Sequence, residues 1–81
     1  MATTVFGPDH KHLVAVLVEA RKASGLSQVE LSKLVGKSQT HISNIERGER
    51  RVDVLEFIAL ARAMKMDALK LMSDVISRLR D

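Results

Sequence analysis

Residues 25–48 read GLSQVELSKLVGKSQTHISNIERG, a stretch that describes two short helices joined at a glycine. Ser27 followed three residues later by Glu30 is a capping box, in which the serine oxygen and the glutamate carboxylate accept from amides that a new helix leaves unpaired. A helix is therefore expected from Gln28. Leu31, Leu34 and Val35 recur at spacings of three and four, which gathers them on one face, expected to be buried. Gly36 stands where the chain leaves the helix, and a left-handed exit is easier for glycine than for a residue with a Cβ. Ser38 can cap a second helix, in which Ile42 and Ile45 are spaced to point back at the first. Two helices about three residues apart, with glycine at the bend, form the pattern of a helix-turn-helix.

The outward face of the second helix follows from a rotation of roughly 100° per residue. With Ile42 and Ile45 inward, Thr40, Ser43, Asn44 and Arg47 fall on the opposite side, with Gln39 on one flank and His41 on the other. None is aliphatic, and only Arg47 is ionised, whereas an ordinary solvated helix more often carries lysine and glutamate pairs. Asparagine and glutamine can bond adenine bidentately and threonine can touch the thymine methyl, so the face suits major-groove base edges. The competing reading is a solvated face whose amides carry no information. His41 either contacts DNA or simply flanks the helix.

On these residues the chain resembles the phage-repressor helix-turn-helix family, the Cro and repressor type also called the xenobiotic-response-element family. The resemblance rests on SQVEL at 27–31, Gly36 in the turn, Ile42 and Ile45, IERG at 45–48 and LARAM at 60–64, and it covers residues 26–71. It implies an all-α, five-helix repressor-like domain whose second motif helix enters the major groove. It also implies an ion pair between Arg21, late in the first helix, and Glu46, late in the recognition helix. Val52 stands about where the family often has proline. Lys65 stands at a helix exit where relatives often carry glycine, and a left-handed lysine there costs about 1 kcal/mol.

Composition sets the bounds. The 81 residues allow one domain, and a chain of this size buries only about 60% of the surface its unfolded form exposes, so a partner surface would help. At 46% hydrophobic it is too apolar for a disordered tail. The net charge of +3 and pI near 9.7 favour an anionic partner without demanding one. No cysteine is present, which excludes disulfides and thiolate metal sites and is compatible with a reducing cytoplasm. The longest apolar run, 13–18, is far short of a membrane span and lacks the layout of a secretion signal. The expectation is a cytoplasmic protein.

Working outward, residues 1–8 form an expected flexible arm ending at Gly7 and Pro8, and residues 9–81 a single domain with helices at about 9–23, 28–35, 39–47, 54–64 and 68–79. Pro8 and Asp9 suit a helix start. Leu13, Leu17 and Ala20 make the first helix's inward stripe, while Val14, Val16 and Val18 are extra apolar residues awaiting cover from the arm, the last helix or a second subunit. His10 and His12 invite a metal reading, but residues two apart on a helix diverge and no third ligand is near, so exposed first-turn histidines are expected and no metal. Asp53 and Glu56 repeat the cap-and-echo spacing, opening a helix expected to bury Leu55 or Val54, Phe57, Ile58, Ala61 and Met64. Asp67 caps the last helix, where Leu69, Met72, Val75 or Ile76 and Leu79 recur at threes and fours, Leu71 adds a second edge, and Lys70, Arg78 and Arg80 fill the rest. One small core needs less apolar surface than that, so the helix is expected both to close the domain over the first and fourth helices and to form a dimer seam through Leu69, Met72, Val75, Ile76 and Leu79, closure alone being the competing reading.

The function expected from these features is a sequence-specific regulator of double-stranded DNA, a repressor acting as a homodimer on an inverted repeat with half-sites roughly 34 Å apart. Gln39, Thr40, Ser43 and Asn44 would read bases, while Gln28, Lys37, Ser38, Arg47, Arg50 and Arg51 would hold phosphates. Occlusion of a promoter is the expected mode, since no segment remains for a ligand-sensing domain. An alternative is an antitoxin or other interaction module that binds a partner protein and autoregulates its operon. A basic helix lying on a membrane is diluted by Asp67, Asp74 and Asp81. No nucleophile sits with a histidine and an acid, and no glycine-rich phosphate loop occurs, so neither an enzyme nor a cofactor is expected.

Overall fold

Ser27 Oγ accepts from the Glu30 amide at 3.0 Å and Glu30 Oε1 accepts from the Ser27 amide at 2.8 Å, closing both halves of the capping box. That amide holds the Glu30 carboxyl below the usual carboxylate range. In this computed structural model, which describes residues 7–79, five helices follow in order: α1 His10–Ala23, α2 Gln28–Val35, α3 Gln39–Glu46, α4 Val54–Ala63 and α5 Ala68–Leu79. No strand occurs among the described residues. Residues 1–6, most of the expected arm, and Arg80 lie outside them.

Local chemistry accounts for each boundary. Ser38, Asp53 and Asp67 accept from the amides of His41, Glu56 and Leu69, starting α3, α4 and α5. Gly36, with φ +71°, ends α2 in the left-handed region. Helix α2 packs on α3 and α4, α1 lies beneath α3 and α5, and α4 meets α5. Their shared core takes Val16, Leu17 and Ala20 from α1, Leu31 from α2, Ile42 and Ile45 from α3, Phe57, Leu60 and Ala61 from α4, and Leu71 and Val75 from α5, with Met64 beside them.

Several inward faces differ from expectation by one rotational step. Leu34 is 60% exposed, and the inner face of α2 carries Leu31 and Ser32, with Val35 packed at its edge. The Ser32 hydroxyl can be buried because it donates to the Val29 carbonyl at 2.7 Å. Val54 and Leu55 are exposed and Ile58 is half-buried, whereas Phe57, Ala61 and Met64 are buried as expected and are joined by Leu60, three residues after Phe57. Val16, expected as extra apolar surface, belongs to the core because α5 covers it. Val75, expected on the dimer seam, also lies in the core, paired with Leu71 on the inward side of α5. His10 and His12 are half-buried rather than exposed.

Lys65 adopts φ +56°, and its amide and that of Met66 close the end of α4 onto Arg62 and Ala61 at 3.0 and 2.9 Å. A left-handed residue with a Cβ carries about 1–2 kcal/mol of strain, partly offset by the greater unfolded freedom of glycine. Lys65→Gly is therefore expected to stabilise the fold by about 0.5–1 kcal/mol. Urea denaturation checks this, and a lowered midpoint would show that the lysine stem contributes packing that outweighs the strain.

Candidate nucleic-acid interface

Ile42 and Ile45 are almost wholly buried, so they fix the roll of α3 about its axis. With the helix seated on them, Gln39 and Thr40 are exposed and Ser43 and Asn44 half-buried at its outer side. His41 turns the other way. Its Nε2 lies 2.5 Å from Glu56 Oε2, both side chains being largely buried, so the histidine ties α3 to α4 instead of flanking an open groove. The same contact explains why the second capping box is half-formed. Asp53 accepts from the Glu56 amide at 2.7 Å, but the Glu56 carboxylate is drawn to His41.

Behind the outer face runs a hydrogen-bonded chain from α1 to the start of α3. Arg21 donates through Nε and Nη2 to the two Glu46 carboxylate oxygens at 2.6 and 3.0 Å, and through Nη1 to the Leu26 carbonyl at 2.9 Å. The bond to Glu46 raises the affinity of the guanidinium for its proton above the ordinary value. Gln28 Nε2 donates to the same Glu46 at 2.9 Å, and Gln28 Oε1 accepts from Gln39 Nε2 at 2.7 Å. Four side chains on three helices are thus linked in a chain that ends at Gln39, the first residue of α3. Gln28, expected on a phosphate, has its acceptor and one amide hydrogen engaged within the protein, which leaves the second amide hydrogen to donate.

Around this face the expected phosphate ligands divide. Lys37, in the α2–α3 turn, and Arg50, after α3, line one cleft with Asp53 and Glu56. Ser38 spends its oxygen lone pair on the His41 amide and keeps its hydroxyl proton for an external acceptor. Arg51 is exposed on the same loop as Arg50. Arg47 is drawn back onto its own helix, donating to Ser43 Oγ and Asn44 Oδ1, with Glu49 Oε1 at 3.4 Å. Sequence spacing placed Arg47 on the outer side, and its separations of three from Asn44 and four from Ser43 are those at which helical side chains meet, the signal that points to the fold-back. Spacing gave no sign of the His41–Glu56 contact, which joins residues 15 apart in the chain.

On the far side of the molecule, Glu19 and Arg78 pair at 2.6 and 3.0 Å between α1 and α5, and this bond lowers the Glu19 carboxyl below its usual range. Both groups are solvated, so the pair contributes little stability. Leu69, Ile76 and Leu79 face outward on α5. Leu69 and Met72 line a cleft shared with Val54 and Ile58 of α4. Among the described residues no helix is long and apolar enough to cross a membrane.

Comparison with known proteins agrees with this architecture. The helix-turn-helix family HTH_3 matches residues 17–71. The control protein C.SmaI of Serratia marcescens is 35% identical over 66 residues, covering 80% of this chain and 79% of the relative. The HTH-type transcriptional regulator y4dL of Sinorhizobium fredii is 39% identical over 57 residues, or 70% of this chain, but the match spans only 29% of its length. Among solved structures, an XRE-family like protein from Pseudomonas syringae superposes with a TM-score of 0.81 at 35% identity, covering 89% of this chain and 88% of that one.

Proposed function

The chain belongs to the XRE-type helix-turn-helix family HTH_3, a family of DNA-binding transcriptional regulators and not of enzymes, and from that premise we propose a homodimeric repressor acting on an inverted-repeat operator. The observation that carries the proposal is the outer side of α3: a polar face, seated on two buried isoleucines and held at Gln39 by the Arg21–Glu46–Gln28 chain. Gln39, Thr40, Ser43 and Asn44 read base edges in the major groove. Lys37, Ser38, Arg50, Arg51 and the remaining Gln28 amide hydrogen hold the flanking phosphates. The dimer forms through the outward stripe of α5, Leu69, Met72, Ile76 and Leu79, with Val54 and Ile58 of α4 at its edge. Bound across a promoter, such a dimer represses by occlusion.

The two contact classes separate experimentally. Asn44→Ala is expected to reduce the preference for operator over random DNA by about tenfold or more, the scale of one lost base contact. Arg50→Ala is expected to weaken both complexes alike and to reduce the salt slope by about one. Fluorescence anisotropy at several salt concentrations measures both quantities. An unchanged operator preference in Asn44→Ala would remove that residue from the reading face.

A second reading, an antitoxin that also binds DNA, is favoured by apolar surface away from the α5 stripe. Leu34 is exposed on α2 and lines a cleft with Leu26, Ala63 and Met64. Co-purification of a second protein that is lost on Leu34→Asp, with DNA binding retained, would select it.

A further inference from the structure

Arg47 holds Asn44 in one orientation. A guanidinium has only donors, so the group facing it on the Asn44 amide is the oxygen, and the Nδ2 hydrogens point elsewhere. Ser43 is held in the same way, its Oγ accepting from the other Arg47 terminus while its hydroxyl proton remains to donate. The C-terminal half of the α3 face therefore offers donors. Its N-terminal end is different. Gln39 gives one amide hydrogen to Gln28 and retains a free oxygen and a second hydrogen, the donor and acceptor edge that matches adenine N7 and N6.

We propose that Arg47 is a positioning residue for specificity, fixing Asn44 as a donor so that the base pair it reads is selected as guanine rather than adenine. Guanine presents two acceptors, N7 and O6, to the major groove, whereas adenine presents an acceptor beside a donor. A free asparagine amide matches adenine with its oxygen and nitrogen together. The bond to Arg47 takes one of the two lone pairs of Oδ1 and fixes the amide plane with the oxygen toward the guanidinium, which disfavours the coplanar oxygen-and-nitrogen pairing with adenine, while both guanine acceptors can be met by Nδ2–H and the Ser43 hydroxyl. The carboxylate of Glu49 beside Arg47 favours the guanidinium remaining at this end of the helix rather than reaching outward. This role differs from the phosphate contact that an arginine at this place in the sequence suggests. It rests on the reading of Asn44 as a base contact.

The test is selection of bound sites from random DNA with the wild-type protein, Asn44→Ala, Arg47→Met and Arg47→Lys, each checked for an unchanged far-UV spectrum and melting curve. Wild-type sites are expected to carry a guanine in each half-site whose preference, about tenfold, disappears in Asn44→Ala. In Arg47→Met the same position is expected to shift toward adenine, and Arg47→Lys, which still donates to Oδ1, retains guanine in part. Guanine kept at full strength in Arg47→Met overturns the proposal. So does a uniform loss of affinity in that variant with preferences intact, the signature of a phosphate contact. If Asn44→Ala changes no position at all, the base-reading assignment fails, and this inference with it.

Discussion

The double replacement of Leu69 and Ile76 by glutamate is expected to leave the five helices intact and to lower operator affinity by about two orders of magnitude or more. Leu69 is 82% and Ile76 57% exposed in the single chain, so a carboxylate at either position stands in water and the monomer core, built on Leu71 and Val75, is untouched. In a seam between two subunits the same carboxylates would lose much of their water, a cost that Arg62 in the cleft beside Leu69 offsets only in part and that opposes association. Leu69, Met72, Ile76 and Leu79 follow one another at intervals of three, four and three, so they form one continuous stripe that a second copy can cover with its own. Affinity falls because tethering two reading helices makes the second half-site encounter intramolecular, and dissociation removes that gain while each half-site contact survives. Sedimentation should show a monomer, circular dichroism an unaltered helix content, and anisotropy a weakened full operator beside an unchanged isolated half-site. A variant that still sediments as a dimer would place the seam elsewhere.

The stripe also shows where sequence reasoning reached and where it stopped. Caps and exits were legible because they are short-range chemistry. Ser27 with Glu30, Ser38, Asp53, Asp67 and Gly36 each act within a few residues of themselves, and Lys65 adopts the strained left-handed exit that its place in the family pattern implies. The rotational setting of the amphipathic helices was less legible. In α2, α4 and α5 two adjacent apolar edges compete at threes and fours, and the buried one is chosen by the neighbour that packs there. Thus Leu34 and Leu55 face water, while Ser32 and Leu60 face the core. The α3 face was read correctly as to direction, since its two isoleucines leave no second apolar edge. What its side chains do to one another was hidden. Arg47 folding onto Asn44 lies at a helical spacing of three that permits the contact without requiring it, whereas His41 turning to Glu56 joins residues 15 apart, a distance that no spacing rule encodes.

Loss of Glu46 is expected to have the largest effect on stability. Its carboxylate accepts two bonds from Arg21 and one from Gln28, and the Arg21 and Glu46 side chains are only 13% and 11% exposed. Glu46→Ala leaves a largely buried guanidinium with only the Leu26 carbonyl as partner, which costs about 3–5 kcal/mol. A domain of this size has a total stability of only roughly 4–12 kcal/mol, at 0.05–0.15 kcal/mol per residue, so the variant approaches the point at which it unfolds. Removing the charge partner as well, in Arg21→Met with Glu46→Ala, is expected to be less damaging than Glu46→Ala alone, because no unpaired charge then remains inside. Urea denaturation of the four-membered cycle measures the coupling, and a value near zero would remove the brace from the account. The consequence for recognition is specific. Glu46 orients Gln28, and Gln28 orients Gln39, so Glu46→Gln, which keeps an acceptor and the side-chain shape, should retain discrimination at the Gln39 base pair better than Glu46→Ala at a temperature where both are folded. On the proposed reading of Gln39, stability and base recognition are linked, because the carboxylate that neutralises Arg21 also anchors the chain of amides that ends at Gln39.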